Sequence, residues 1–304
     1  MASTGTKKGT SKKIWWIVGG VLGFFVLLFI LAAIFGSPSA DKVFKDMSEE
    51  MLKTKSVTVS QTYKGSGTGG ESINMTSKMY LNMATSELLA RGNFAIDMVS
   101  SGTPMNAEAE FISIGSNSYI KFTKLSSSSP TLTSSFSQIE SKLKNNWVKS
   151  KEGDSFSAFA KLPTDSIMSV LPVPFANLND SQRKNVLTIL QDKSMYTIEE
   201  SSKVDIGGVS AYKYSVKYDK DLYNKAAKAI TGYLSYFKSS GTDDSEIKTL
   251  TVWVNTKTSQ IIKIEFTGTA KQGDVQGTIT FTDYNQNLPI EKPSDYSIES
   301  ELLN

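Results

Sequence analysis

The sequence predicts an α+β protein: an antiparallel sheet with one apolar face, a few helices, and a single membrane-spanning segment ahead of them. Three observations predict it. The stretch from Ile14 to Phe35 runs for 22 residues without a charge. Segments whose hydrophobic residues alternate at period two lie on both sides of the middle of the chain, joined by short turns. The elements run helix, strands, helices, hairpin, helix, strands, so strands and helices are segregated and no βαβ alternation appears.

The uncharged stretch, residues 14–35, is roughly 33 Å long as a helix at about 1.5 Å per residue. A bilayer core is about 30 Å thick, and a secretory h-region is usually only about 7–15 residues. A cleaved leader is the alternative. Ala40 suits the last position of a cleavage site, but Pro38 would stand at the third-last, where a small residue is needed. The segment therefore reads as a retained anchor. Lys7, Lys8, Lys12 and Lys13 precede it and mark the cytoplasmic side, and Trp15 and Trp16 suit the interface. The expected organisation is a cytoplasmic tail (1–13), a transmembrane helix (14–35), a short linker (36–40) and one extracytoplasmic domain (41–304). The protein is then single-pass in the cell membrane, with its N-terminus cytoplasmic.

Charge and composition exclude several function classes. The chain carries +3 overall, but the first 35 residues hold four of the 33 basic residues and none of the 30 acidic ones. The remainder has 29 against 30, a net −1. A near-neutral domain offers no electrostatic footprint for nucleic acid. There is no Cys and no His. Disulfides, thiolate metal sites and Cys nucleophiles are absent, together with the commonest general base and metal ligand. An enzyme would need a Ser-Lys or carboxylate pair. The sequence reads as a non-enzyme with no cofactor and no metal.

Each element has a local reason. Val43, Phe44, Met47, Met51 and Leu52 recur at helical spacing, predicting a helix over Asp41–Thr54 with Ser39 as its N-cap. From Ser56 the period becomes two. Ser56–Tyr63 alternates, and Lys64–Glu71 is a Gly-rich turn. Ile73, Met75, Met79, Leu81 and Met83 then share one face, opposite Asn74, Thr76, Lys78 and Asn82. Leu88, Ala90, Phe94, Ile96 and Met98 share the apolar face of the next strand. Two further strands follow in NAEAEFISIG and NSYIKFTKL. One apolar and one polar face mean an antiparallel sheet half covered. Leu125–Ser137 is a Ser-rich loop, and NNWVKS returns briefly to strand. Short apolar helical pieces broken by Pro163, Pro172 and Pro174 come next. Asn179 or Asp180 then caps a helix striped by Val186, Leu187 and Leu190. Gly207–Gly208 signals a hairpin. Leu222, Ala226, Ile230, Tyr233 or Leu234, and Phe237 stripe a helix. A second hairpin turns near Lys257–Ser259, and a last strand runs into a Pro-punctuated tail.

Other motifs are better read as structure. Gly65, Gly67 and Gly70 fit G-x-G-x-x-G, but a strand follows where a dinucleotide site needs a helix. Asp219 and Asp221 open like a calcium loop without its glycine and later ligands. Glu199–Glu200, as strand neighbours, face opposite ways, and Asp243–Asp244 sit in a polar turn. Asn74-Met-Thr76 and Asn179-Asp-Ser181 fit the glycosylation pattern, relevant only in a host that glycosylates.

Three C-terminal segments carry a resemblance. VDIGGVSAYKYSV (Val204–Val216), TVWVNTKTSQIIKIEF (Thr251–Phe266) and ITFTDYNQNLPIEKP (Ile279–Pro293) resemble the closing strands of the LolA-like superfamily, the extracytoplasmic lipoprotein carriers with their LppX/LprG-type relatives. The likeness covers roughly 41–295 and is specific only in the last third. It implies a strongly curved antiparallel sheet, a partial barrel, whose mouth is closed by helices over a cavity for acyl chains. The residues it would place there are Met75, Met79, Leu81, Met83, Phe94, Ile96, Met98 and Phe111 from strands, and Val170, Leu171, Phe175 and Ile230 from helices. The methionines fit independently, being flexible and polarizable, although a Met-rich core is the plainer reading of any one of them. The implied partners are the membrane and a lipid or other apolar small molecule. LppX/LprG-like proteins attach by a lipidated Cys, which this chain lacks, so holding or passing on a ligand at the membrane fits better than shuttling it. The alternative is an envelope protein-interaction or sensor module of the RseB-like kind with no lipid cargo.

Overall fold

A computed structural model describes residues 38–67, 69–82, 89–100, 102–115, 117–128, 144–149, 178–190, 196–218, 246–270 and 273–298. The expected span at 14–35 and the helical pieces expected within 150–177 and 219–245 lie outside them. Among the described residues no helix is long and apolar enough to cross a membrane.

Helix α1 (Pro38–Lys53) starts at Pro38, ahead of the expected start at Asp41. Ser39 therefore lies within the first turn and not ahead of it. Proline is tolerated there because the first N–H groups of a helix have no intrahelical acceptor. Phe44, Met47 and Leu52 are buried, as the spacing predicts. Ser48 is buried between them and satisfies its hydroxyl by donating to the Phe44 carbonyl at 2.8 Å.

The sheet follows: β1 (Ser56–Ser66), β2 (Ser72–Asn82), β3 (Leu89–Ser100), β4 (Thr103–Ile114), β5 (Asn117–Ser127) and β6 (Val148–Lys149). Helix α2 (Asp180–Leu190) comes next, then β7 (Tyr196–Ile206), β8 (Val209–Tyr218), β9 (Glu246–Asn255), β10 (Ile261–Ala270), β11 (Gly273–Thr282) and β12 (Ser297–Ile298). All twelve strands join one curved sheet in the order β12-β6-β5-β4-β3-β2-β1-β11-β10-β9-β8-β7. Every neighbouring pair is antiparallel except β6 and β12, which are parallel. Two meanders, β1 to β6 and β7 to β11, meet where β1 pairs β11. The sheet is open, with β12 and β7 at its edges among the described residues. A large, curved, open antiparallel sheet with few helices is the architecture the sequence resemblance implied.

The turns form where the sequence places them. Gly67 and Glu71 close the β1–β2 loop by an N–H to carbonyl bond of 2.7 Å, so the glycine-rich run is a hairpin followed by a strand. Gly207 and Gly208 have φ of 58° and 84°. Two successive left-handed residues make the hairpin turn whose twist matches the strands. Asn255 Oδ1 accepts from the Lys257 N–H at 2.8 Å, folding the β9–β10 turn around an Asx motif. Helix α2 takes its cap from Asn179: Asn179 Oδ1 accepts from the Gln182 N–H, and Gln182 Oε1 accepts from the Asn179 N–H, each at 2.9 Å. Asp180 is the first helical residue instead.

The segment after β11 is the part that the alternation pattern did not predict. Asp283 and Asn285 adopt positive φ, 53° and 58°, and turn the chain onto the outer face of the sheet. Asn285 N–H donates to the Ser56 carbonyl at 2.8 Å, and the Tyr80 hydroxyl accepts from the Leu288 N–H at 2.9 Å. The Tyr80 and Ser56 hydroxyls both donate to the Gln286 carbonyl. Tyr296 then meets Tyr119 edge to face at 5.2 Å, and β12 pairs with β6. The tail thus crosses outside β1 to β5 and buries Thr58, Tyr80 and Asn82, whose face is otherwise polar.

Candidate functional site

The alternation of each strand and the register of each ladder define one continuous inner face. Met75 lies opposite Ile96, Met79 opposite Gly92, Leu81 opposite Ala90, and Ser77 opposite Phe94. On the next strand Gly92 faces Phe111 and Met98 faces Met105. The sequence-predicted residues Met75, Met79, Leu81, Phe94, Ile96, Met98 and Phe111 therefore share one side of β2, β3 and β4, and all are buried. Met83, Val170, Leu171, Phe175 and Ile230 lie outside the described residues.

The face continues through the other half of the sheet. Val59 and Tyr63 of β1, Ile279 and Phe281 of β11, Ile264 and Phe266 of β10, and Leu250 and Val252 of β9 are buried on the same side. Phe44 of α1 packs edge-on against Tyr214 of β8 at 4.5 Å, which places α1 on this side. Arg183 of α2 donates to the carbonyls of Leu178, at 3.0 Å, and of Leu52 at the end of α1, fastening the two helices together. A cation at a helix C-terminus satisfies carbonyls that lack intrahelical donors.

Two glycines let aromatic rings lie flat on the sheet. A Cβ at Gly277 would stand 2.4 Å from the Phe266 ring, and one at Gly92 would meet the Lys78 carbonyl at 2.3 Å and the Phe111 ring at 3.0 Å. Each ring covers the bare backbone of its neighbouring strand.

The inner face is electrostatically quiet. Among the described residues no charged side chain is buried. Burial pushes the Tyr214 phenol up to about 12, with neighbouring Tyr212 adding to the shift, as expected where ionisation finds neither water nor a cation. Charges sit on the outside or, as with Lys203 and Asp205 of β7, exposed at the edge of the sheet. Trp253, on the outer face of β9, lies between Lys213 at 5.6 Å and Lys263 at 4.9 Å. The tryptophan that helped carry the sequence resemblance therefore lies under two lysine ammonium groups, away from the inner face. Glu199 and Glu200 are both exposed, and a bulge between Ile198 and Glu200 interrupts the alternation there. Asp219, Asp221 and Asp243–Asp244 lie outside the described residues.

One feature of the inner face escaped the sequence reading. Gln61 of β1 and Ser77 of β2 are directly opposite each other and point inward. They are only 4% and 7% exposed. Gln61 Nε2, Gln61 Oε1 and Ser77 Oγ find no hydrogen-bond partner among the described residues. The signal was available as a gap in the pattern. Val57, Val59 and Tyr63 skip position 61, and Ile73, Met75, Met79 and Leu81 skip position 77.

No protein-family model matches the sequence, and no curated protein matches it. Among solved structures, the chain is similar to MucB in complex with MucA(peri), with 9% identity and a TM-score of 0.28 over 86% of this chain and 58% of that one. It is also similar to the LolA superfamily protein NE2245 from Nitrosomonas europaea, with 9% identity and a TM-score of 0.23 over 82% of this chain and 97% of that one. The chain thus spans less than two thirds of the MucB chain.

Proposed function

We propose that this protein is a membrane-anchored, extracytoplasmic, LolA-like binding protein that holds or transfers a lipid or other apolar ligand against the inner face of its sheet. The observation that carries the reading is the extent of that face. It is apolar from Val148 of β6 to Tyr214 and Val216 of β8, across ten strands. At about 4.8 Å per strand this is roughly 43 Å of sheet, against about 10 Å for the width of one helix. Its methionines Met75, Met79 and Met98 can repack around varied apolar shapes.

The energetics set a condition. An acyl chain gains about 0.8 kcal/mol per buried CH₂ in the bilayer, on the order of 12 kcal/mol for sixteen carbons. The binding site must offer nearly equal burial and exclude water. Anchoring by 14–35 would keep the domain beside the bilayer from which the ligand comes. Nothing in this reading calls for a catalytic residue or a cofactor.

Photocrosslinking of the full-length protein in its own membrane tests the reading. p-Benzoylphenylalanine at position 94, on the inner face, is expected to yield adducts with the mass of a lipid, and the same probe at Asn93, on the outer face, none. Lipid adducts at neither position would defeat the proposal, and a stoichiometric protein adduct in their place would establish the interaction-module alternative.

A further inference from the structure

The three unpartnered atoms of Gln61 and Ser77 sit at the middle of the apolar face. Ladder registers align Phe94, Ser77, Gln61, Ile279 and Ile264 in one row across β3, β2, β1, β11 and β10. The row is apolar on both sides of the pair. Along the strands the flanking residues are also apolar: Val59 and Tyr63 on β1, Met75 and Met79 on β2. An apolar residue at either position would complete the alternation, and leaving a buried polar atom unpaired is costly. Residues opposite one another on adjacent strands are close enough to hydrogen-bond, yet these two side chains leave their polar atoms unused.

We infer that Gln61 and Ser77 form a polar subsite that takes a neutral hydroxyl or amide group carried by an otherwise apolar acyl ligand. This rests on the apolar-ligand reading above and narrows its substrate class. The atom types decide the chemistry. A carboxamide offers two N–H donors and an acceptor, and a serine hydroxyl offers one donor and accepts as well. A group that only accepts, such as an ether or ester oxygen, brings no donor for Gln61 Oε1. A hydroxyl or primary amide both donates and accepts, so it can pair with both side chains. A carboxylate or phosphate is disfavoured, because no buried charged side chain among the described residues would compensate it. The flanking Met75, Met79 and Phe94 take the alkyl portion on the same face.

The test uses full-length protein in membrane nanodiscs, wild type and the variants Gln61→Leu and Ser77→Ala. Displacement of a fluorescent apolar dye measures the affinity of three probes: dodecane, 1-dodecanol and dodecanamide. Wild type is expected to bind the alcohol and the amide about 10- to 100-fold more tightly than the alkane, as for one or two net hydrogen bonds gained. Both variants are expected to lose most of that preference and to keep the alkane affinity. Removing unpaired polar atoms is also expected to leave the melting temperature unchanged or higher. A preference that survives both substitutions overturns the subsite, as does a wild type that binds all three probes alike, the result expected if interior water satisfies the pair. In both cases alkane binding persists and the parent reading stands. Failure of wild type to bind any probe overturns both. Should Gln61→Leu not fold, Gln61→Met, unbranched like glutamine, gives the same comparison.

Discussion

Gly277 shows how one missing carbon organises the inner face. The Phe266 ring lies over it and reaches toward Tyr63, whose ring centroid is 6.4 Å from that of Phe266. Gly277→Ala puts a methyl where the ring is, and the ring, being buried, has little room to swing aside. Overpacking of this kind costs about 1–3 kcal/mol. Gly69→Ala is the matched control, since a Cβ there meets nothing within 4 Å, and exposed sites of that sort change stability by less than about 0.5 kcal/mol. Urea denaturation of the two variants should separate them clearly, and equal midpoints would contradict the packing described. The same scale explains why Gln61 and Ser77 were missed. Period-two reading counts the apolar positions that are present, and a polar residue in the series registers only as a weaker strand.

At the scale of the element, α2 is a short helix fastened at its ends, with Val186 buried between them. Asn179 and Gln182 satisfy one another's N–H groups at the start, and Arg183 reaches the end of α1. Asn179→Ala removes the cap and should cost about 1 kcal/mol. The expected result is faster amide exchange within 182–186, with the β1–β11 ladder unchanged. Unaltered exchange in α2 would mean that tertiary contacts alone hold the helix. The strands other than β12 were legible element by element. Ile73 to Leu81 and Ala90 to Met98 alternate cleanly, so their inner and outer sides followed from sequence. Strand partners were less so. Hairpin neighbours are forced by short turns, but nothing local announces that β1 pairs β11 or that β8 lies beside β9 across 27 intervening residues, 219–245.

The molecule as a whole is strapped from outside by its own C-terminal segment. Two meanders are joined at β1 and β11, and the tail then crosses β1 to β5 to add β12 beyond β6. The Tyr119–Tyr296 contact anchors its far end, and burial beside it pushes the Tyr119 phenol above its ordinary range. Tyr296→Ala removes an aromatic pair worth about 0.5–1.5 kcal/mol beyond simple burial. The Ser297 N–H, bonded to the Trp147 carbonyl at 2.9 Å, should then exchange several-fold to about tenfold faster, while β1 and β11 stay protected. If β1 and β11 loosen equally, the tail is part of one cooperative unit and no separate strap exists.

Local chemistry decided the identity of the described strands other than β12, their two faces, the turns at Gly207–Gly208 and Asn255, and the apolar character of Met75, Met79, Phe94 and Phe111. These follow from side-chain period and backbone preference, which act over a few residues. Tertiary structure decided which strands meet, that Tyr80 and Asn82 are buried beneath the tail, and that Gln61 and Ser77 stand together unpaired amid apolar neighbours. Those facts depend on residues up to 230 positions apart, and a contact between distant segments leaves no periodic trace in either of them.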